Sequence, residues 1–268
     1  MGLFHFFIEK QFESYSVYTV STTPLSSRRA HEFILSQTTR QHLRKDLGLL
    51  EGLNKMQKPV LYYALFSPPA RACMITAKLI GLDMDLKCIN PQHQIPAFVD
   101  TDGEVYVDSH AIMSFMVSKY GPTDALYPKD LKLRAHVDHR LHYENGVLFQ
   151  VIKDLVARNI YGGEGEFNPK TIEMCHNAYG FLEKFLEKYD YVVGQQLTIA
   201  DVSINTTMVT LDLLIPLQQF SSRYPKIHAW MEHMKSLPDY KEVNLKGAHA
   251  LCNRINTMMA ENKSKSAK

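Results

Sequence analysis

Cysteine is scarce in this chain. Cys73, Cys88, Cys175 and Cys252 are scattered through 268 residues, and no two of them form a C-x-x-C pair. That argues against a disulfide framework and a structural zinc site, and it suits a reducing compartment, the cytoplasm. An excess of one charge is lacking too: 30 Lys and Arg face 28 Asp and Glu, a formal net charge of +2. No basic stripe or face stands out, so nucleic acid is not an expected partner. No apolar run approaches the roughly 18 residues of a membrane span, so a membrane is not expected either. The 12 histidines show no metal-ligand spacing and no metal site is expected. What is present is 45% apolar and 22% charged residues, ordinary for a soluble globular protein with room for one or two domains.

Residues 1–57 do not read like the rest. Aromatics, Ser/Thr clusters and a basic stretch (Arg28, Arg29, Arg40, Arg44, Lys45) occur there without sustained periodicity. Phe6 stands where myristoylation needs Ser or Thr. The apolar patch Leu3–Ile8 is short and is followed by Glu9, which argues against a secretory signal. Glu13, Glu32, Asp46 and Glu51 argue against a transit peptide. The segment is expected to be a disordered or adventitious extension.

From Pro59 the pattern sharpens. Val60–Tyr63 reads as a strand, and Ser67-Pro68-Pro69 opens a helix, because proline is tolerated in a first helical turn. Ala72, Ile75, Ala77, Leu79 and Ile80 give that helix its apolar positions, and Gly81 ends it. Further strands are expected at Met84–Cys88, Ile95–Val99 and Val105–Val107, the last two joined by a hairpin loop whose Gly103 suits positive φ. Ser109 is placed as N-cap of a helix running to Tyr120. This order, β-α-β, then a hairpin and a helix, is that of a thioredoxin-like layer. After Pro128, Leu131–Arg158, Thr171–Tyr189, Ile199–Ile215, Lys226–Ser236 and Asn244–Met259 carry helical spacing. Thr198 and Asp201 form a capping-box-like start for the third of these. The fold class is therefore an α/β thioredoxin-like domain, expected over 58–120, followed by an all-α helical domain over 124–259 and a solvated tail over 260–268.

Ser67 follows a strand and opens a helix, where backbone N–H groups and the helix dipole favour negative charge. A hydroxyl there either caps its helix or donates a hydrogen bond to a thiolate, lowering the thiol's pKa. No His or Asp motif near it suggests a triad, so an acylating serine is not expected. Ile95-Pro96 begins a strand, as a plain start or as a cis bond turning the Ile95 backbone towards a ligand. Asp108-Ser109 reads as an ordinary cap or as a seat for an amino-acid head group, Asp108 pairing with the ammonium. His93 by itself reads as a surface or packing residue rather than a ligand-binding one. Phe149, Ile152, Lys153 and Val156 share one helical face, which is core unless Lys153 marks it as the partly open lining of a pocket.

Several of these pieces stand together in one family. Leu61-Tyr62-Tyr63, Ser67-Pro68-Pro69-Ala70-Arg71-Ala72, Asn90-Pro91-Gln92-His93-Gln94-Ile95-Pro96 and Asp108-Ser109-His110-Ala111-Ile112 resemble the N-terminal domain of insect delta/epsilon cytosolic glutathione transferases. Leu126-Tyr127-Pro128-Lys129-Asp130, the run from His142 to Phe149, and Leu197-Thr198-Ile199-Ala200-Asp201 resemble the epsilon C-terminal domain. The resemblance runs from Lys58 to about Asn262. It implies an enzyme that conjugates glutathione, its co-substrate, to small hydrophobic electrophiles in detoxification, with dehydrochlorination or peroxide reduction as variants, and a homodimer. By the same resemblance Ser67 is the catalytic, thiol-activating serine. His93 is implied to contact the glycyl end of glutathione, Ile95 and Pro96 to meet its cysteinyl backbone, and Asp108 with Ser109 to hold its γ-glutamyl head. Phe149, Ile152, Lys153 and Val156 are implied to line the electrophile site, and His110 to lie near the dimer interface.

Two departures stand out. The family has no counterpart of residues 1–57, and relatives carry a longer loop and a helix, with a further glutathione-contacting histidine, where Cys88-Ile89 runs straight into Asn90. Two other readings share the fold. One is a low-turnover protein binding hydrophobic ligands or sterols, although a steroid-linked epsilon branch carries an acidic residue where Ile152 stands here. The other is a structural module like that of translation elongation factor gamma subunits, which would need an appended domain.

Overall fold

The computed structural model describes residues 58–88, 95–220 and 222–266. The readings made for residues 1–57, for the 89–94 segment and for His93 within it lie outside the described residues. Four short strands form one mixed sheet: β1 (Val60–Tyr62), β2 (Asp85–Lys87), β3 (Ala97–Val99) and β4 (Val105–Val107), in the order β2-β1-β3-β4. β1 pairs in parallel with β2 across helix α1 (Pro68–Leu79), and antiparallel with β3, which pairs antiparallel with β4. Gly103 takes φ +88° in the β3–β4 turn, as its position in the loop suggests. Leu61 and Phe98 are register partners with no exposure. Helix α2 (Ser109–Tyr120) covers this face through Phe115, whose ring stacks on Tyr106 at 4.0 Å and meets Phe98 edge-on at 6.1 Å.

After β4 only helices follow among the described residues. These are α3 (Leu131–Tyr143), α4 (Phe149–Leu155), α5 (Pro169–Phe185), α6 (Ile199–Leu214), α7 (Pro225–Met234) and α8 (Lys246–Ser266), with a 3-10 turn at Leu217–Phe220. Helix α6 runs through the interior and packs against α1, α3 and α8. Ala70, Ala72 and Ala77 leave α1 slim enough for close packing, and each is 2% exposed or less. By contacts, Lys58–Asp100 and Glu104–Lys268 belong to a single compact unit.

Three features differ from the sequence-based reading. The helix expected over Leu131–Arg158 is a continuous run whose α segments alternate with π segments at Glu144–Leu148 and Val156–Tyr161. The first contains Asn145-Gly146, weak α-helix formers, and the Phe149 N–H reaches back to the Glu144 carbonyl. Asp108, not Ser109, is the N-cap of α2. The tail expected over 260–268 is, through Ser266, the last stretch of α8. It is held because Asn262 is buried and its Nδ2 donates to the Asn159 carbonyl at 2.9 Å and the Glu164 carbonyl at 3.3 Å.

Candidate active site

Ser67 sits where the chain leaves β1 and enters α1. Its backbone N–H donates to the Ala64 carbonyl at 2.9 Å, which closes the turn. Its Oγ accepts the Ala70 N–H at 3.4 Å, and Pro68 and Pro69, which have no N–H to satisfy, complete the first turn. The residue is 2% exposed, so its hydroxyl stands in a poorly solvated place at the positive end of a helix. Across the sheet, the Ile95–Pro96 peptide is cis and leads directly into β3.

Asp108 ends the hairpin with φ +73°, a backbone region that side chains other than glycine seldom occupy. That turn brings Oδ1 onto the N–H groups of His110 at 2.9 Å and Ala111 at 3.3 Å. Ser109 is the first residue of α2 and is buried. Its carbonyl accepts the Cys73 Sγ–H at 3.7 Å, which ties α2 to α1.

His110, placed by resemblance near a dimer interface, bonds within the chain. Its Nε2 lies 3.0 Å from Glu144 Oε2 and 2.9 Å from Ser203 Oγ, and Thr207 donates to the other Glu144 oxygen at 2.6 Å. The start of α2 is thereby fixed to the π segment after α3 and to α6. Glu144 is 3% exposed, and buried carboxylates survive only with such partners.

The face proposed for an electrophile is mixed. Phe149 and Ile152 are buried, Val156 is half-buried, and Lys153 is exposed with Nζ 5.5 Å from the Phe149 ring centroid. A separate cleft of about 430 Å³ lies among Tyr189, Tyr191, Lys226, Trp230 and His233 and includes none of the residues above. Among the described residues no group of acidic, His and Cys side chains could hold a metal. No described helix is long and apolar enough to cross a membrane.

Two clusters beside the site escaped the sequence reading: the His110–Glu144–Thr207 network and the surroundings of Arg71. A signal for both was present. Helix α6 carries Ser203, Asn205, Thr206, Thr207 and Thr210, all buried, and so many polar groups inside one apolar helix require polar partners from elsewhere.

Comparison with known proteins fits this geometry. The family model described as Glutathione S-transferase, C-terminal domain, matches residues 169–238. The chain is 36% identical to Glutathione S-transferase 1 of Manduca sexta over 204 residues, covering 70% of this chain and 92% of that protein. It is 34% identical to Glutathione S-transferase D7 of Anopheles gambiae over 212 residues, 72% of this chain and 94% of that one. Among solved structures, an epsilon-class glutathione S-transferase from the housefly Musca domestica superposes with a TM-score of 0.71 at 39% identity, covering 75% of this chain and 98% of its own. A glutathione transferase homologue from Drosophila mojavensis, solved with bound glutathione, gives a TM-score of 0.70 at 37% identity, covering 76% of this chain and 98% of its own. The chain belongs to the glutathione S-transferase family. Its likeness to delta- and epsilon-class proteins puts it on the insect delta/epsilon branch, with a thioredoxin-like sheet followed by helices.

Proposed function

We propose that the Ser67 hydroxyl donates a hydrogen bond to the thiolate of glutathione, and that this chain conjugates that thiolate to small hydrophobic electrophiles. The observation that carries the reading is a buried hydroxyl at the N-terminus of α1, in a family whose members use glutathione. A free thiol has a pKa of about 8.5, so little of it is ionised at neutral pH. A donor hydrogen bond and a helix N-terminus both favour the anion, and each unit of pKa lost raises the thiolate fraction up to about tenfold. The thiolate sulfur then bonds to the electrophilic carbon, and the leaving group departs with the bonding electron pair.

Other residues hold the tripeptide. Oδ2 of Asp108 faces the ammonium of the γ-glutamyl head, and the first turn of α2 at Ser109 its carboxylate. The Ile95 backbone, held beside Pro96, meets the cysteinyl unit, and His93 the glycyl end. Phe149, Ile152, Lys153 and Val156 form the electrophile wall. On this reading residues 58–120 are the glutathione-binding domain and 124–259 the electrophile-binding domain, in a homodimer. The cytoplasm, where glutathione is kept reduced, is the compartment the chemistry needs.

Ser67→Ala tests the reading. Losing one hydrogen bond to a charged group costs about 1.5–3 kcal/mol, on the order of tenfold to a hundredfold in conjugation rate. The thiolate absorbance of bound glutathione should titrate at higher pH in the variant, with the circular dichroism spectrum unchanged. Unchanged rate and titration would reduce Ser67 to a helix cap. A wild-type chain that binds glutathione yet conjugates no activated aryl chloride would favour the low-turnover binding protein instead.

A further inference from the structure

Arg71 is a charged side chain with no exposure at all, four residues after Ser67 on the first turns of α1. Burying a guanidinium is costly unless every donor is used. Here all are. Nε donates to Asn244 Oδ1 at 3.2 Å. Nη1 donates to the carbonyls of Leu65 at 3.2 Å and Phe66 at 3.1 Å. Nη2 donates to the Thr206 carbonyl and Thr210 Oγ1, both at 2.8 Å. None of these five acceptors is a carboxylate, so the site is built around the fork of the guanidinium rather than around an ion pair. Burial pulls the pKa of Arg71 down to about 9, which leaves it charged at neutral pH.

The acceptors define what the fork does. Leu65 and Phe66 are the residues immediately before Ser67, while Thr206 and Thr210 belong to α6 and Asn244 to a further π segment, Tyr240–Leu245, just before α8. Asn244 is itself oriented, because its Nδ2 donates to Asn205 Oδ1 at 2.9 Å. Gly247 presses on the same place: a Cβ there would collide with the Leu65 carbonyl oxygen and with Arg71 Cδ. The turn that presents the Ser67 hydroxyl is thus held from behind by the helical half of the molecule, through the Arg71 side chain and the close approach of Gly247.

We infer that Arg71 is a positioning residue for thiol activation: by fixing the Leu65 and Phe66 carbonyls against α6 and the Asn244 segment, it sets where the Ser67 hydroxyl points. The inference rests on the proposed role of Ser67. It gives the helical half a share in setting the glutathione thiol's acidity, with no contact to glutathione. Lysine in place of Arg71 keeps the charge but lacks the planar fork, so it cannot reach both loop carbonyls and α6 together.

The test uses Arg71→Lys, Thr210→Val, Ser67→Ala and the double variant Ser67→Ala/Arg71→Lys, in the full chain. Thr210→Val removes one acceptor from the far end of the fork without touching the turn. Two readouts separate positioning from general damage: the titration of bound glutathione's thiolate, and calorimetric binding of S-methylglutathione, which has no thiol to ionise. Arg71→Lys should raise the thiol pKa and lower kcat at pH 6.5 by about fivefold or more, with S-methylglutathione affinity within about threefold. Thr210→Val should shift both in the same direction and by less. In the Ser67→Ala background, Arg71→Lys should add nothing to the titration shift. If Ser67→Ala moves the titration while folded Arg71→Lys and Thr210→Val titrate like wild type, the Arg71 inference falls and the Ser67 reading stands. An equal shift from Arg71→Lys with and without Ser67 also overturns it, since the effect then bypasses the serine. An unmoved titration in Ser67→Ala brings down both. Should Arg71→Lys fail to fold, the Thr210→Val titration decides alone.

Discussion

Asp108 adopts the backbone of a glycine, with φ +73°, and uses it to bring one carboxylate oxygen onto the N–H groups of His110 and Ala111. A conformation that costs about 1–3 kcal/mol persists where surrounding structure or function requires it. The helix cap alone does not require it, because Ser109 could cap from an ordinary extended backbone. The second oxygen, on an exposed side chain, is the part a cap does not explain. Asp108→Asn separates the two uses. Asparagine keeps an acceptor for the cap and tolerates positive φ, but has no charge for an ammonium. The melting temperature should stay within about 2 °C of wild type, while KM for glutathione rises about tenfold and kcat changes less than about threefold. Steady-state kinetics with glutathione varied checks this. A lowered melting temperature with unchanged KM would make Asp108 a cap and nothing more.

Helix α6 shows what a sequence discloses at the scale of an element and what it withholds. Its start was legible, because Thr198 and Asp201 are the residue types of a capping box at the right spacing, and the box is formed. What spacing does not reveal is that Asp201 also accepts the Val192 N–H at 2.8 Å and the Trp230 Nε1–H at 3.2 Å, beside the Thr198 N–H at 3.0 Å and hydroxyl at 2.9 Å. Four donors on two oxygens of a fully buried carboxylate leave no place for an amide NH₂. Asp201→Asn should therefore destabilise the protein by about 2–4 kcal/mol, read as a lowered urea midpoint at pH 7. A midpoint unchanged within error would mean that the cluster rearranges freely. The same contrast runs through the rest of the chain. Strand and helix positions follow from period, Pro and Gly, and Ser67, Ile95 and Asp108 are nameable because their motifs are local. The choice of Asp108 over Ser109 as cap is not legible, since both are good caps and a backbone angle decides between them. The π segments hide because one added residue per turn leaves apolar spacing almost helical. Arg71 hides because an arginine one turn past a serine looks solvated until Thr206, Thr210 and Asn244 arrive from far along the chain.

Over the whole molecule, 75% of this chain covers 98% of the housefly epsilon-class protein. About a quarter of this chain therefore has no counterpart in that relative, and the sheet and all the described helices lie after residue 57. A chain beginning at Met56 should accordingly melt within about 2 °C of the full one and keep kcat/KM within about twofold, and its failure to fold would make residues 1–57 structural. The link between β2 and β3 raises a different question. Lys87 and Ala97 both pair with Tyr62, from opposite sides, so the ends to be joined lie about 10 Å apart across β1. The nine residues between them reach about 30 Å when extended, so the sheet can close without the longer loop and helix expected there from the family resemblance. The cost falls on binding. On the proposed reading Ser67, Ile95, Asp108 and Ser109 serve the thiol and the γ-glutamyl head, and the glycine carboxylate is the end that the missing loop and helix would serve. That carboxylate then keeps more of its water and loses a charge-assisted hydrogen bond, a difference of about 1.5–3 kcal/mol. Inserting the relatives' loop and helix after Cys88 should lower the dissociation constant for glutathione about tenfold or more. Because such a contact serves ground state and transition state alike, KM should fall by more than kcat rises. Calorimetry and kinetics on the same electrophile measure both quantities, and equal glutathione affinity in the two chains would mean that another segment of this protein already supplies the wall.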